Sequence, residues 1–379
     1  MNAQALDREL LKLSLSPIAA YLDDPEVTDI LVYGSRHVYV RRRGSGFEGV
    51  GAAWHSDADL MTAAKTIGRQ MGRRLDSREP ILDARLPDKS RVNIIVEPCY
   101  DRGACIAIRK FPEDHFTWDQ LVGFGSIDRT GVAILEAVLR LGKNILISGG
   151  AGTGKTTMLN ALTSFIPAGD VVVTVEDARE ISLSKELCVP LETKRATDSD
   201  DPEVTLRDLV RTSLRMNPRW VIVGEVRGAE ALDLVRAFNT GHCGAGTIHA
   251  NSSFDALLAL EALILQAGLD LPARAVKEMV SRAIHVVVQM RELPDHSRRL
   301  MEIAEVQGLD YDGSATFPSY KLRTLYQFEF LRYTSDGKAH GQFAVRDRPS
   351  WLRELRLIPN YEVPQFWAGV TEVPCDTTR

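Results

Sequence analysis

The order of hydrophobic and polar positions changes near residue 130, and this change indicates two folding units. From Gly131 onward, short apolar runs such as Val171-Val172-Val173 alternate with segments that carry helical spacing. Apolar runs of this kind are typical of strands buried on both faces, so the alternation predicts an α/β fold with a mostly parallel sheet. The predicted helices are 131–141, 155–165, 203–216, 229–239, 252–268 and 273–284, and the predicted strands are 144–147, 171–175, 220–224, 245–248 and 285–290.

The first part of the chain mixes shorter strands with helices and predicts a small α+β domain over residues 1–110. A helix is predicted at 5–22, where leucines fall roughly on one face, and a second at 57–73. The β-rich runs 29–33 and 38–42 indicate a hairpin. Two further strands are predicted at 91–96 and 104–109.

The remaining segments carry weaker patterns. Residues 111–128 hold Pro, Gly and acidic residues between the two patterned regions, which predicts an interdomain linker. The second domain is predicted over 129–310. Residues 311–379 are interpreted as an appendage with strands at 320–330 and 342–345, ending in a poorly ordered tail over 359–379.

A phosphate-binding loop is the clearest motif in the chain. Residues 149–156 match the pattern G-x-x-x-x-G-K-[ST], with a strand predicted before them and a helix from Lys155. Glycines let backbone N–H groups turn toward a phosphate, and the helix N-terminus adds its positive end. Lys155 would reach the β- and γ-phosphates and Thr156 would ligate Mg²⁺. The predicted nucleotide-binding residues are Gly149, Gly150, Ala151, Gly152, Thr153, Gly154, Lys155, Thr156 and Thr157.

Three other predicted strands end in residues suited to ATP hydrolysis. Glu225 follows strand 220–224 and is the candidate support of the metal, although a carboxylate at the start of the next helix is the alternative interpretation. Glu176 follows strand 171–175 and is the candidate that polarises the attacking water. His249 follows strand 245–248, where a histidine can contact a γ-phosphate.

Arginines near these strands are candidates for stabilising the charge that develops on the phosphates. Each of them is, taken alone, also consistent with an ordinary surface arginine. They are Arg211, Arg215 and Arg227 around the Glu225 strand, and Arg91 and Arg109 at strand ends of the first domain.

Composition argues against several classes of protein, namely general nucleic-acid-binding, zinc-binding and membrane-spanning proteins. A net charge of −5 argues against general nucleic-acid binding. The five cysteines form no Cys-x-x-Cys pair, so a thiolate zinc site is not expected. Their small, odd number is typical of a protein in a reducing cytosol. We find no run of 18 apolar residues and no secretory signal in 1–15, which predicts no direct membrane span.

In order and spacing these motifs resemble the Walker A, Asp box, Walker B and His box of the type II/type IV secretion and pilus ATPase superfamily. The longer runs 209–242 and 247–252 resemble its CpaF branch, which drives Tad pilus assembly, and its TrbB branch, which serves conjugative transfer. Residues 27–44, 84–93 and 106–111 resemble the first domain of the same branches. The resemblance covers roughly residues 20–310.

That resemblance implies a homo-hexameric ring of two-domain subunits, with a PAS-like first domain, a RecA-like second domain and the nucleotide between them. It implies that Lys155 and Thr156 bind phosphate and Mg²⁺ and that Glu176 acts on the attacking water. It also implies that Glu225 supports the metal site and that His249 senses the γ-phosphate. Arg91 and Arg109 would reach the phosphates from the first domain. Arg215 and Arg227 would lie near the site, in part across a subunit boundary.

Two features depart from the family. Four residues separate His242 from Thr247, where CpaF and TrbB relatives usually have five, so the role of His242 is less secure than that of His249. The tetracysteine zinc element of many type II secretion and pilus-extension ATPases is absent from the sequence, which disfavours that branch.

The leading hypothesis is a cytoplasmic Mg-ATP-hydrolysing motor at the inner face of a bacterial inner membrane, acting on a platform or secretion-channel protein in pilus assembly or type IV-like secretion. A conjugative DNA-transfer ATPase is the alternative. A RecA-like nucleic-acid translocase is disfavoured by the acidic charge. A non-catalytic nucleotide switch is disfavoured by Glu176 and Glu225, and a small-molecule kinase by the lack of a lid signature.

Overall fold

The structure, a computed structural model, describes residues 13–42, 45–51, 54–111, 116–183, 185–194, 202–268, 270–311, 318–359 and 361–367. The chain divides into two compact units, Met1–Asp114 and His115–Arg379. Of the helix predicted at 5–22, residues 1–12 lie outside the described residues. The described part forms a short 3₁₀ turn at Ser16–Ile18 followed by helix α1 (Ala19–Asp23).

The first unit is an antiparallel sheet covered on one face by helix α2 (Asp57–Gln70). Its strands are β1 (Val27–Tyr33), β2 (Val38–Arg42), β3 (Phe47–Val50), β4 (Ile81–Arg85), β5 (Arg91–Val96) and β6 (Ala104–Arg109), in the order β3-β2-β1-β6-β5-β4. Alternate residues of β5 point to the core, where Val92 and Ile94 share a cluster with Leu60 and Ile67 of α2. Burial of each such side chain contributes about 1.5–3 kcal/mol.

The second unit is built on one sheet of nine strands among the described residues, with helices on both faces. Its strands are β7 (Ile145–Ser148), β8 (Val172–Glu176), β9 (Cys188–Glu192), β10 (Trp220–Val223), β11 (Cys243–Ile248), β12 (Val286–Glu292), β13 (Arg298–Asp310), β14 (Ser319–Tyr333) and β15 (Ala339–Val345). Its helices are α3 (Trp118–Gly123), α4 (Arg129–Arg140), α5 (Lys155–Thr163), α6 (Leu206–Ser213), α7 (Glu230–Asn239), α8 (Ser253–Gln266) and α9 (Ala273–Ala283), with 3₁₀ turns at Leu214–Met216, Ser350–Leu357 and Gln365–Trp367.

Six neighbouring strands of this sheet run parallel, in the order β12-β7-β11-β10-β8-β9. The α/β fold with a parallel-strand core is therefore confirmed. Parallel strands place all their carboxyl ends at one edge of the sheet, and ligands of such folds bind there. On the other side of β12, strands β13, β14 and β15 continue the sheet in antiparallel fashion.

The structure differs from the sequence interpretation on both sides of the second domain. Most of the segment interpreted as a linker is folded into the second unit: Thr117 caps α3, and Leu121 and Ile127 are buried in the main core. The segment interpreted as an appendage extends the central sheet through β14 and β15. Trp351 and Trp367 are buried in that same core, so the predicted tail contributes to it as far as residue 367.

Among the residues that the structure describes, no helix combines the length and apolar character needed to cross a membrane.

Candidate functional site

The phosphate-loop sequence connects β7 to α5 at the carboxyl edge of the parallel sheet. Gly154 occupies the position before the helix with a φ of 93°, and Gly152 has a φ of 74°, both in the left-handed region that favours glycine. A Cβ on Gly149 would stand 2.6 Å from the carbonyl oxygen of Met290, so a side chain does not fit there. The glycines of the motif are therefore required by the loop's shape.

The start of α5 presents backbone donors around this loop. The Met158 amide donates to the Gly154 carbonyl at 2.9 Å and begins the hydrogen-bond ladder of the helix. Amides ahead of that point in a helix have no acceptor within the helix. Lys155, Thr156 and Thr157 lie in this first turn, so their N–H groups are suited to an anion.

Lys155 is buried inside the loop. Its ammonium donates to the carbonyls of Gly149 at 3.0 Å and Gly150 at 2.8 Å, and lies 3.5 Å from Nδ1 of His249. Burial lowers the pKa of Lys155 below its ordinary value, while the nearby Glu225 carboxylate opposes that shift. The loop thus holds a cation where the sequence placed the phosphate-binding lysine.

Glu225 follows β10 at the same edge and contacts two side chains, an imidazole and a guanidinium. Its Oε1 pairs with Nε2 of His249 at 2.7 Å, and its Oε2 accepts a hydrogen bond from the Arg227 guanidinium. Arg227 also pairs with Asp177 at 3.4 Å, and the hydrogen bond to Glu225 raises the pKa of Arg227. These four side chains form a connected ionic network beside Lys155.

The alternative interpretation of Glu225, as the carboxylate that starts the next helix, does not hold. That role belongs to Glu230, the first residue of α7. Its carboxylate accepts from the backbone amides of Arg227 at 2.6 Å and Gly228 at 2.8 Å. The Glu225 carboxylate therefore points into the network instead.

Glu176 ends β8 next to the network and is 2 % exposed. Its Oε1 accepts from the amides of Glu180 and Ile181, both at 2.9 Å, and so shapes the loop after β8. Its Cγ lies 2.9 Å from the point where a Cβ on Gly224 would stand, which leaves only glycine at that position. Glu176 thus borders the strand end that leads to Glu225.

The turn that carries His249 is fixed to the turn that carries Glu225. The Thr247 hydroxyl donates to the Gly224 carbonyl at 2.6 Å, and the Val226 amide donates to the Thr247 carbonyl at 2.8 Å. Since β10 and β11 are parallel neighbours, these bonds set the spacing between Glu225 and His249.

Some predicted residues do not join this cluster within one chain. His242 precedes β11 and Arg215 precedes β10, so both lie at the amino edge of the sheet. The strand that separates each from the carboxyl edge is about 20 Å long for β11 and about 13 Å long for β10. Arg211 pairs with Asp233 at 3.2 Å. The loop of His242 is fixed by contact of its Nδ1 with the Ala237 carbonyl at 3.2 Å.

Arg91 and Arg109 lie in the first unit. They are direct cross-strand partners on β5 and β6, and Arg109 also pairs with Asp29 at 3.0 Å. Directly paired residues of antiparallel strands share one face of the sheet, so the two arginines form a small basic row there.

Sequence reasoning missed several neighbours of the loop. The sequence predicted no role for Asp177 or for the turn between β12 and β13. Met290 contacts Gly149 through its carbonyl, and Glu292 and Arg298 lie beside Gly152 and Gly154. The sequence offered one indication of these neighbours, because the predicted strand 285–290 belongs to the same predicted sheet as the strand before the loop.

Within the described ranges, no group of three His, Cys, Asp or Glu side chains is placed to hold a metal ion by itself. Mg²⁺ that is bound with a nucleotide takes one or two protein oxygens together with phosphates and waters. Thr156 in the first turn of α5 and Glu225 at the end of β10 offer such oxygens near the glycine cradle.

Comparison with known proteins shows the family of the chain. The model of the family described as type II/IV secretion system protein matches residues 12–331. The chain belongs to this family. The prediction made from the four motifs is therefore confirmed.

Individual relatives extend the match. A Mycobacterium tuberculosis protein whose name assigns it provisionally to conjugal transfer is 32 % identical over 80 % of this chain and 87 % of its own length. The conjugal transfer protein TrbB of Rhizobium radiobacter is 29 % identical over 76 % of this chain and 86 % of its own length. The Legionella pneumophila ATPase DotB shares the fold, with a TM-score of 0.56 at 17 % identity, over 77 % of this chain and 80 % of DotB.

Proposed function

We propose that this protein is an ATP-hydrolysing motor that powers pilus assembly or type IV-like secretion. The observation that carries the proposal is the Glu225 carboxylate, held between His249 and Arg227 beside Lys155 in the phosphate loop. Membership of the secretion family and the likeness to an ATPase fold support it. ATP is the substrate and Mg²⁺ the metal that accompanies it.

Each side chain has a proposed task. The loop amides, Lys155 and Thr157 bind the phosphates, and Thr156 and Glu225 hold Mg²⁺, which supplies charge neutralisation on the phosphate oxygens. Glu176 polarises a water whose oxygen bonds to the γ-phosphorus as the bond to the β–γ bridging oxygen breaks. The water's protons pass to phosphate oxygen and solvent.

His249 and Arg227 are proposed to sense the γ-phosphate. Both are already paired with Glu225, so the charge of a γ-phosphate would redistribute their contacts and its departure would restore them. In this proposal Arg91 and Arg109 reach the phosphates from the first domain, and the motion between domains is transmitted to a membrane partner.

Replacing Lys155 tests the catalytic proposal. The rate of phosphate release should fall by about 100-fold or more in Lys155→Ala, because a charge-assisted contact to the transferred phosphate is lost. Lys65→Ala, which removes an exposed lysine of α2 in the first unit, is the matched control and should keep the wild-type rate. Full activity in Lys155→Ala would refute ATP hydrolysis at this loop.

A homo-hexamer with shared sites is also proposed, because Arg215 lies at the opposite sheet edge from its own loop. The Arg215→Ala protein and the Lys155→Ala protein should each release phosphate more slowly than the wild type when assayed alone. In an equal mixture, roughly a quarter of the sites would join an intact loop to an intact neighbouring Arg215 in a head-to-tail ring. Recovery of phosphate release on mixing supports the shared site, and no recovery contradicts it.

The proposed location is the cytoplasmic face of a bacterial inner membrane, where the ring would bind a platform or secretion-channel protein. Tad pilus assembly of the CpaF type is our first assignment. Conjugative transfer of the TrbB type is the second candidate, which the names of the relatives favour. Deleting the gene in its host distinguishes them: the first predicts loss of surface pili, and the second predicts loss of plasmid transfer with pili of the Tad type retained.

A further inference from the structure

The turn between β12 and β13 lies against the outside of the phosphate loop. A Cβ on Gly152 would stand 3.6 Å from Oε2 of Glu292, and a Cβ on Gly154 would stand 3.5 Å from Cδ of Arg298. A side chain at either glycine would thus be in van der Waals contact with the hairpin. The stem of Arg298 therefore lies near Gly154, the residue that precedes α5.

The backbone fixes this placement. Glu292 and Arg298 are direct cross-strand partners at the mouth of the β12–β13 hairpin, so their side chains share one face. β12 is also the parallel neighbour of β7, the strand that leads into the loop. The Met290 carbonyl, which leaves no room for a Cβ on Gly149, brings the hairpin close to the loop at a second point.

Glu292 contacts two other side chains of the hairpin. Its Oε1 contacts Nδ1 of His296 at 3.1 Å, and its Oε2 lies 4.0 Å from Nε of Arg298. The second distance is that of an ion pair and is too long for a hydrogen bond. The Arg298 side chain is 36 % exposed, so solvent and solutes reach it.

We propose that Arg298 is a nucleotide-binding residue whose guanidinium donates to a phosphate oxygen of the bound nucleotide, and that Glu292 is its positioning residue. The inference rests on the proposed function, because it assigns a further contact at the same loop. A guanidinium suits this task, since it stays charged and binds phosphate through two parallel N–H groups. A carboxylate beside a phosphate site is unfavourable by itself, and pairing with Arg298 offsets its charge.

Binding of two ligands tests the assignment. The dissociation constants of ADP and of tripolyphosphate would be measured by titration calorimetry for the wild type, Arg298→Ala, Arg298→Lys, Glu292→Gln and the double variant Glu292→Gln/Arg298→Ala. Arg298→Ala should weaken both ligands by about 10-fold or more, because a charge-assisted hydrogen bond to phosphate is lost. Arg298→Lys should recover part of the affinity, since a point charge remains.

The positioning role makes its own prediction. Glu292→Gln should weaken both ligands by about 3-fold in the presence of Arg298 and should add nothing in the double variant, because its effect passes through Arg298. Arg346→Ala is the matched control. It removes an arginine paired with Glu329 between β14 and β15, and should leave both constants unchanged.

The possible results separate the two proposals. If the wild type binds ADP and Arg298→Ala stays within about 2-fold of it for both ligands, Arg298 has no role in binding. Weakening of ADP alone would also overturn the assignment to phosphate. If the wild type binds neither ligand, the proposed function itself fails. Melting temperatures without ligand verify that each variant is folded.

Discussion

The two edges of the parallel sheet in the second unit are held together in opposite ways. At the carboxyl edge, Lys155, Glu225, Arg227 and His249 are linked through contacts of charged side chains and the His249 imidazole. At the amino edge, the starts of β7, β11 and β12 are joined by hydrogen bonds of uncharged groups. Asn144, which is 2 % exposed, donates from its side chain to the Ala283 carbonyl and accepts from the Gly244 amide, both at 2.9 Å.

The difference shows which edge serves stability and which serves chemistry. Hydrogen bonds among neutral buried groups leave little to exchange with a ligand, and breaking them leaves unsatisfied polar atoms. Charges held at a ligand-binding edge can transfer their contacts to phosphates. Apart from Arg215, which is proposed to act on a neighbouring subunit, substitutions at the amino edge should therefore change folding more than turnover, and substitutions at the carboxyl edge the reverse.

The largest effect is expected for Glu225→Gln. The side chain keeps its size but loses the charge that pairs with His249 and supports Mg²⁺, so phosphate release should fall by about 100-fold or more. Glu136→Gln, which removes a carboxylate paired with Arg140 on the surface of α4, is the control and should keep its rate. An unchanged rate in Glu225→Gln would place the chemistry away from this edge.

Asn144→Ala tests the opposite edge. It removes the partners of the Ala283 carbonyl and the Gly244 amide, and we expect a loss of about 2–4 kcal/mol in the free energy of unfolding. The urea midpoint measures this loss, and ADP affinity below the transition should match the wild type. Asn239→Ala, which removes one bond to the Met279 carbonyl from an exposed residue, should cost much less.

The parallel core and the phosphate loop could be predicted from the sequence because each produces a pattern in contiguous residues. Unbroken valine and isoleucine runs identify strands buried on both faces, and the loop motif is read within eight positions. β9 was missed because it is a partly exposed edge strand with Pro190 in its middle, which weakens the usual pattern. β13 was missed because its many charged residues conceal an alternation that only its pairing partners reveal.

Contacts between distant segments were the harder part. Ser148 bonds to Gln289 across 141 positions, and the hairpin that reaches Gly152 and Gly154 follows that strand. No local pattern states that β12 is the neighbour of β7. In the same way, motif order groups His242 with His249, and only the strand between them shows that they lie at opposite edges.

The two histidines make a direct comparison between the edges. His249→Ala removes a partner of Glu225 and a neighbour of Lys155, and the rate of phosphate release should fall by about 10-fold. His242→Ala removes a contact with the Ala237 carbonyl, and the rate should stay within about 2-fold in a folded protein. If His242→Ala proved the more damaging for catalysis, His242 itself would have to take part in the chemistry, in the way proposed for Arg215 through a neighbouring subunit.

The smallest effect concerns pH and again separates the edges. His285 lies at the amino edge just before β12, where its Nδ1 accepts from the Asn144 amide at 3.0 Å. Burial lowers the pKa of His285 to about 4. The charge of Lys143 adds to this decrease, and the charge of Glu354 opposes it. The unfolded chain has the ordinary value of about 6.5 and binds a proton first as pH falls, so stability is full above pH 6.5 and declines toward pH 4.

At one pH unit below 6.5 this term should remove roughly 1 kcal/mol of the free energy of unfolding. His285→Asn keeps an acceptor for the Asn144 amide but does not titrate. The urea midpoint of the wild type should therefore fall more steeply between pH 7 and pH 5.5 than that of the variant. Equal slopes would mean that His285 takes up its proton in the folded state as readily as in the unfolded one, and that the amino edge is open to water at this point.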